Sequence, residues 1–140
     1  MIHPSQTDRQ PVGSLHDAAE WTDAAFTRRL ATMFGDRFRW CAAWGEWLLR
    51  QQNGSWSLAS DQAIEAFAKK MAEVEELQLE HLFPSLDFRT ARRLILLLDG
   101  IFQPNWPSHI VSTLSRLPQV QIEADAAGDL LWRNAVRISR

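Results

Sequence analysis

The sequence predicts an α+β fold: a mainly helical single domain with one small, Trp-rich antiparallel β-sheet over about residues 37–59. Three observations lead to this prediction. Apolar residues recur at helical spacing on both sides of that stretch. Within it, Asn53-Gly54 separates two strand-like runs, and Asn-Gly is the strongest short-range signal of a β-hairpin. The length of 140 residues is that of one domain.

The predicted sheet has three strands, at Arg37–Ala43, Glu46–Gln52 and Trp56–Ala59. We expect the first turn around Trp44-Gly45. For the second turn, at Asn53-Gly54, we expect type I′, because glycine adopts positive φ at no steric cost and asparagine tolerates it.

Alternation along the first strand predicts one apolar and one basic face of the sheet. The residues expected on the apolar side are Phe38, Trp40 and Ala42, extended by Trp47, Leu49 and Trp56. Those expected on the basic side are Arg37, Arg39 and Cys41. The apolar face is therefore expected to rest on the helices.

Four helices are predicted around the sheet: Thr22–Phe34, Ser60 or Asp61 to Leu82, Leu86–Phe102 and Trp106–Leu117. Thr22 or Asp23 is a suitable N-cap for the first helix, and Gly35 stands at its C-terminal end. The third helix is apolar on nearly all sides past Arg93, which predicts a central, mostly buried helix.

The long second helix carries an apolar stripe of Ile64, Phe67, Ala68, Met71, Val74 and Leu77 or Gln78. Its acidic residues, Glu73, Glu75, Glu76 and Glu80, are interpreted as a solvated outer face. Near the end of the chain, Gln119–Glu123 alternates like a strand, with Leu130–Ile138 as its expected partner. We expect residues 1–20 to form a flexible tail and residues 21–140 to form the domain.

Composition excludes several classes of protein. The net charge is −2 and the pI about 6.1, whereas a basic face or a pI above about 9 is the usual footprint of a nucleic-acid binder. A single cysteine, Cys41, excludes an internal disulfide and a Cys-cluster zinc site; we expect it to be a buried small hydrophobe in a cytoplasmic protein. No P-loop, nucleophile elbow, HExxH or dinucleotide fingerprint occurs, and the four histidines are scattered. We therefore expect no metal, no cofactor and no enzymatic activity.

Arginine and tryptophan supply the candidate binding residues: Arg28, Arg29, Arg37, Arg39, Trp44 and Arg50. Proteins that bind single-stranded nucleic acid place arginines beside aromatic rings on which the bases stack. The simpler interpretation is that the arginines are solvated charges and that most of the seven tryptophans belong to the core, since tryptophan dominates packing in small sheets. Trp44, at a turn, is the tryptophan we expect to be exposed.

Five short runs carry a resemblance to a known family: Thr22-Asp23-Ala24-Ala25, Arg28-Arg29-Leu30, Phe34-Gly35-Asp36-Arg37-Phe38-Arg39-Trp40, Trp44-Gly45-Glu46-Trp47-Leu48 and Gly54-Ser55-Trp56. Together they resemble the D5-type N-terminal domain, which connects the primase part to the superfamily 3 helicase part of phage and plasmid primase-helicases. The similarity is good over about residues 22–71 and looser beyond, where Leu117-Pro118, Val120-Gln121-Ile122 and Asp129-Leu130-Leu131-Trp132 resemble the tail of the same domain. Phe26 departs from the family pattern, which has Asn or a small residue there.

This resemblance implies a stand-alone copy of a connecting domain, because the catalytic primase and ATPase parts do not fit in the chain. It implies a non-catalytic accessory domain of phage or mobile-element DNA replication. Such a domain would bind single-stranded DNA, dock on a primase or helicase, or do both. The alternative is a small interaction module or inhibitor that binds a host replication or defence protein without DNA. Arginine and tryptophan are enriched at protein-interface hot spots, so composition alone leaves both open.

Overall fold

The computed structural model describes residues 18–101 and 103–138. Over these residues the chain is a helix-dominated α+β domain. The elements are a 3₁₀ turn Ala18–Trp21, α1 Asp23–Phe34, β1 Phe38–Cys41, β2 Glu46–Arg50, β3 Trp56–Ala59, α2 Asp61–Leu82, α3 Phe88–Ile101, α4 Trp106–Leu114 and α5 Ala124–Ile138. Most of the predicted tail lies outside the described residues. Its last part, from Ala18, belongs to the 3₁₀ turn, which ends at the buried Trp21.

The three strands form an antiparallel sheet in the order β1-β2-β3, as predicted. Trp40 lies opposite Trp47, and Leu48 lies opposite Leu58. Both turns carry a glycine with positive φ, +63° at Gly45 and +88° at Gly54.

The expectation of a type I′ turn at Asn53-Gly54 is wrong, since no described residue other than glycine has positive φ. The loop is longer than two residues, with Gly54 N–H donating to the Gln51 carbonyl at 2.9 Å. Asn53 instead accepts a hydrogen bond from the Ser55 N–H at 3.0 Å. A longer loop needs the left-handed conformation at one position only, and glycine fills it.

The main core lies between one face of the sheet and three helices. Phe38 and Trp47 of the sheet pack there with residues from α1, α2 and α4, among them Leu30, Ile64 and Ile110. The rings of Phe38 and Trp47 meet edge to face at 5.9 Å. Aromatic pairs in this geometry stabilise a core beyond their buried area.

The opposite face of the sheet, which was expected to be basic, is also covered by a helix and is partly apolar. Cys41 and Leu48 are fully buried there against Ala127 of α5. Trp56 packs on this side rather than with Trp47, because it pairs with Arg50 in the register. Alternation placed Cys41 correctly, but the cover comes from a helix at the far end of the chain.

The predicted starts of α1 and α2 are confirmed by their caps. Thr22 Oγ1 accepts a hydrogen bond from the Ala25 N–H at 3.1 Å, and Ser60 Oγ accepts one from the Ala63 N–H at 3.3 Å. These caps satisfy backbone donors that have no partner within the helix. Gly35 ends α1 with φ −63°, so it is not in the left-handed conformation; a Cβ at this position would collide with the Ala31 carbonyl.

Two predictions for the second half of the chain are wrong. The third helix was expected to be central and mostly buried. Instead, Leu94 is the one buried side chain among the described residues of α3, and Ile95 and Leu96 face solvent. The predicted hairpin of Gln119–Glu123 and Leu130–Ile138 is replaced by one parallel bridge, Trp40 to Gln121, followed by α5. The alanine-rich start of α5 favours a helix, and its amphipathic spacing outweighs the short alternating pattern before it.

Candidate interaction surfaces

Two of the six candidate residues meet at the open end of the β1–β2 hairpin. Arg37 Nε donates to the Arg50 carbonyl at 3.0 Å, and the Arg50 N–H donates to the Arg37 carbonyl at 2.7 Å. The Arg37 guanidinium lies 5.5 Å from the centroid of the Phe67 ring, within cation–π range. The Arg50 side chain is 45% exposed, and its guanidinium lies 4.0 Å from the Asp36 carboxylate. This end of the sheet therefore presents accessible positive charge, partly offset by one carboxylate.

Arg39 serves the fold at the end of α1. Its Nη1 donates to the Gly35 carbonyl and, at 2.8 Å, to the Phe38 carbonyl. Carbonyls at a helix C-terminus have no partner within the helix, and a cation is favoured there by the helix dipole. Substitution of Arg39 would consequently disturb the junction between α1 and β1 as well as any ligand.

Arg29 does not belong to a binding surface, which corrects the prediction. It is 7% exposed, and its Nε and Nη2 donate to the two carboxylate oxygens of Glu75, each at 2.8 Å. Its Nη1 donates to the Glu20 carbonyl. The geometry is the bidentate fork that arginine and carboxylate prefer.

Glu75 is accordingly not part of the solvated outer face of α2. The buried stripe of this helix passes through Ala72, Glu75 and Leu79, whereas Val74 and Leu77 are exposed. The predicted apolar stripe included Val74 and Leu77 because it was chosen by hydrophobicity alone. The signal that was missed is the i, i+3, i+7 spacing of Ala72, Glu75 and Leu79 on one helical face.

Trp44 and Arg28 lie apart from the arginines of the hairpin end. Trp44 is 41% exposed in the β1–β2 turn, as expected, but this turn is at the opposite end of strands that rise about 3.3 Å per residue. Arg28 is exposed on α1 and forms no ion pair within the described part of the chain. The six predicted residues thus do not converge on one surface.

The tryptophans mostly belong to the core. Trp21, Trp47 and Trp106 are buried, and the Trp106 indole N–H donates to the Asp23 carboxylate at 3.0 Å. The Trp40 and Trp47 rings pack together, with 5.1 Å between their centroids. These rings are held by packing, so they do not form a row of stacking platforms for bases.

Sequence reasoning missed the outward side of α3. We define the α3 outer face as Phe88, Arg89, Arg92, Arg93, Ile95 and Leu96, all of them exposed. The exposed fractions are 85% for Phe88, 53% for Ile95 and 62% for Leu96. Their seven- and eight-residue separation puts the three apolar side chains on one side of the helix, among the arginines.

At the start of α3, the pKa of Asp87 is lowered because its carboxylate accepts hydrogen bonds from the Thr90 backbone N–H, at 2.7 Å, and from the Thr90 hydroxyl. This is the behaviour of a carboxylate at a helix N-terminus. Within residues 18–101 and 103–138, no group of three or more His, Cys, Asp or Glu side chains is placed to hold a metal ion.

The fold and these surfaces define a small, helix-dominated α+β domain with a basic and apolar helix face. No family model, characterised protein or solved structure matches the chain. Among the described helices, none is both long enough and apolar enough to cross a bilayer.

Proposed function

We propose that the chain is a non-catalytic accessory domain of phage or mobile-element DNA replication that docks on a partner protein through the α3 outer face. The partner is a primase or helicase of the same element, as the similarity to the D5-type N-terminal domain implies. The observation that carries the docking proposal is the group of exposed apolar side chains on α3, Phe88, Ile95 and Leu96, with arginines beside them.

Exposed apolar side chains scattered singly are ordinary, but a grouped set marks an interaction site. On α3, Phe88, Ile95 and Leu96 occur within 14 residues, a helix about 21 Å long. Burial of each of these side chains contributes about 1.5–3 kcal/mol to association, before the ordering costs of binding are subtracted.

Charge gives the chemistry of the partner surface. Three arginines stand on the exposed positions of α3, and Asp99 is the acidic residue exposed within that helix. Complementary potentials guide association and exclude wrong partners. The partner is therefore expected to present an apolar strip flanked by Asp and Glu side chains.

Binding of the purified domain to the primase and the helicase of the same element, measured by isothermal titration calorimetry, tests the proposal. We expect micromolar binding to one of them. Phe88→Ala and Arg92→Glu are each expected to weaken it roughly tenfold or more, which corresponds to about 1.4 kcal/mol. Arg28→Glu is the matched control, an exposed arginine on α1, and should bind like the wild type. Failure of both partners to bind, or equal binding by the α3 variants, contradicts the proposal.

A second candidate function is single-stranded DNA binding at the hairpin end. The observation that favours it is the Arg37 guanidinium beside the Phe67 ring, with the exposed Arg50 adjacent in the sheet. Arginine contacts to phosphate together with an aromatic ring are the elements of such a surface.

Fluorescence anisotropy of a labelled single-stranded oligonucleotide at low and moderate salt tests this second function. Arg50→Ala is the informative variant, because its guanidinium makes no hydrogen bond within the described residues and its loss spares the fold. The expected result is micromolar binding that weakens with salt, with the salt slope reduced by about 0.7 in the variant. Absence of binding at low salt rules out single-stranded DNA binding as the function. Phe88→Ala serves as the control that should bind DNA unchanged.

A further inference from the structure

A groove lies between the sheet, the start of α2 and the length of α4, and no residue of the α3 outer face lines it. It measures about 250 Å³. Its walls and floor are formed by Trp40, Trp47, Asp61, Glu65, Val111 and a row of serines, Ser108, Ser112 and Ser115. Small-molecule sites usually measure roughly 300–1,000 Å³, so the groove suits one side chain or a ligand of similar size.

The charges that line this groove are all negative. Asp61 and Glu65 stand one helical turn apart on α2, and no Lys, Arg or His is among the lining residues. Neither carboxylate forms an ion pair with any residue of the described part of the chain. They are therefore available to a positively charged ligand.

The remaining lining residues complement an organic cation. Trp40 is partly exposed at the groove, and the face of an indole ring attracts ammonium and guanidinium groups more strongly than other aromatic rings do. Within the described residues, the hydroxyls of Ser108 and Ser112 make no hydrogen bond. They can accept N–H donors that the carboxylates leave free. Val111 and Trp47 underlie the groove and are only 4% and 1% exposed, so the apolar surface open to an aliphatic stem is that of Trp40.

We propose that this groove binds an organic cation on an apolar stem, namely a guanidinium or ammonium group of the kind carried by arginine and lysine. The carboxylates of Asp61 and Glu65 hold the charge, the fork of a guanidinium matching a carboxylate in two N–H···O bonds. The stem lies along the exposed part of Trp40, as long basic side chains do on apolar surfaces. Such a cation reaches the groove either as a free small molecule or as a side chain of a partner polypeptide.

The test uses the indole ¹H–¹⁵N signals of the full chain labelled at tryptophan, with the two groove signals assigned through Trp40→Phe and Trp47→Phe. Butylguanidinium represents the free cation, and an end-blocked Ala-Arg-Ala peptide represents the side chain. We expect saturable shifts of the Trp40 and Trp47 signals with a dissociation constant in the millimolar range for either probe. Tighter binding of the peptide assigns the natural ligand to a partner polypeptide, and tighter binding of butylguanidinium assigns it to a small molecule.

Two controls make the result decisive. The double variant Asp61→Asn/Glu65→Gln should lose roughly tenfold or more in affinity, while Glu73→Gln/Glu80→Gln, on the same helix but outside the groove, should bind like the wild type. The other indole signals report whether each variant keeps its fold. The proposal is overturned by the absence of shifts at Trp40 and Trp47, by equal shifts with neutral N-acetyl-norleucine amide, or by unchanged affinity in the groove variant. Because the α3 outer face is not involved, these outcomes are independent of the docking function.

Discussion

The buried pair of Arg29 and Glu75 gives the sharpest prediction for the stability of the domain. Arg29→Met removes both 2.8 Å hydrogen bonds to the Glu75 carboxylate, which is 11% exposed. A carboxylate left buried without its partner costs far more than a lost surface contact. We expect the free energy of unfolding to fall by about 3–5 kcal/mol, and the melting temperature by roughly 10–20 °C for a domain of this size.

Glu75→Gln should lower the free energy of unfolding by less, because Arg29 keeps its hydrogen bond to the Glu20 carbonyl and lies 3.5 Å from the Glu20 carboxylate. The double variant Arg29→Met/Glu75→Leu removes both charges and retains apolar volume. Such replacements are neutral or stabilising by about 1–4 kcal/mol in other buried pairs. The expected order of stability is thus the double variant, at or above wild type, then Glu75→Gln, then Arg29→Met.

Urea unfolding followed by far-UV circular dichroism measures these differences, and a cycle of wild type, Arg29→Met, Glu75→Leu and the double variant gives the coupling between the two residues. The matched control is Arg28→Met, the neighbouring but exposed arginine, which should change stability by less than about 0.5 kcal/mol. If Arg29→Met costs no more than Arg28→Met, the reasoning is refuted.

Further expectations follow from burial and from the start of α3. Trp47→Ala should lower the free energy of unfolding, measured in urea, by about 3–5 kcal/mol, because the side chain is 1% exposed. Trp44→Ala should lower it by less than about 0.5 kcal/mol. Equal losses would contradict the assignment of Trp47 to the core. Cys41 is fully buried, so a thiol reagent should label it only as fast as the protein locally or globally unfolds. Immediate labelling of the native protein would exclude this placement. The lowered pKa of Asp87 means that its charge stabilises the folded state above its ordinary pKa of about 3.8 and that this contribution disappears as the pH falls through the lower, folded-state value. Urea titrations of wild type and Asp87→Ala should therefore differ at pH 7 and converge in acid, and a gap that widens in acid would argue against this contribution.

Sequence reasoning succeeded where the deciding interactions are local. The caps at Thr22 and Ser60 lie within three residues of the N–H groups that they satisfy, so they are visible in the sequence. The same holds for Gly45 and Gly54, whose turns need positive φ. From such signals the fold class, three strands and the starts of two helices were predicted.

The candidate site was predicted far less well, because binding depends on which side chains other elements leave uncovered. Arg28 and Arg29 are adjacent and chemically identical, yet one is exposed and the other lies against Glu75, 46 positions away. Leu94 and Leu96 differ in the same way within α3. No local pattern separates the members of either pair.

The sequence by itself thus determined which segments become helices and strands through most of the chain, since caps, turns and periodicity act between near neighbours. Only the tertiary structure decided that α5 covers Cys41, that α3 turns Phe88 outward, and that Asp61 meets Trp40 in one groove. These outcomes depend on contacts between residues far apart in the chain. Not every apolar face of the helices and the sheet can be buried, and only the packed structure decides which ones are.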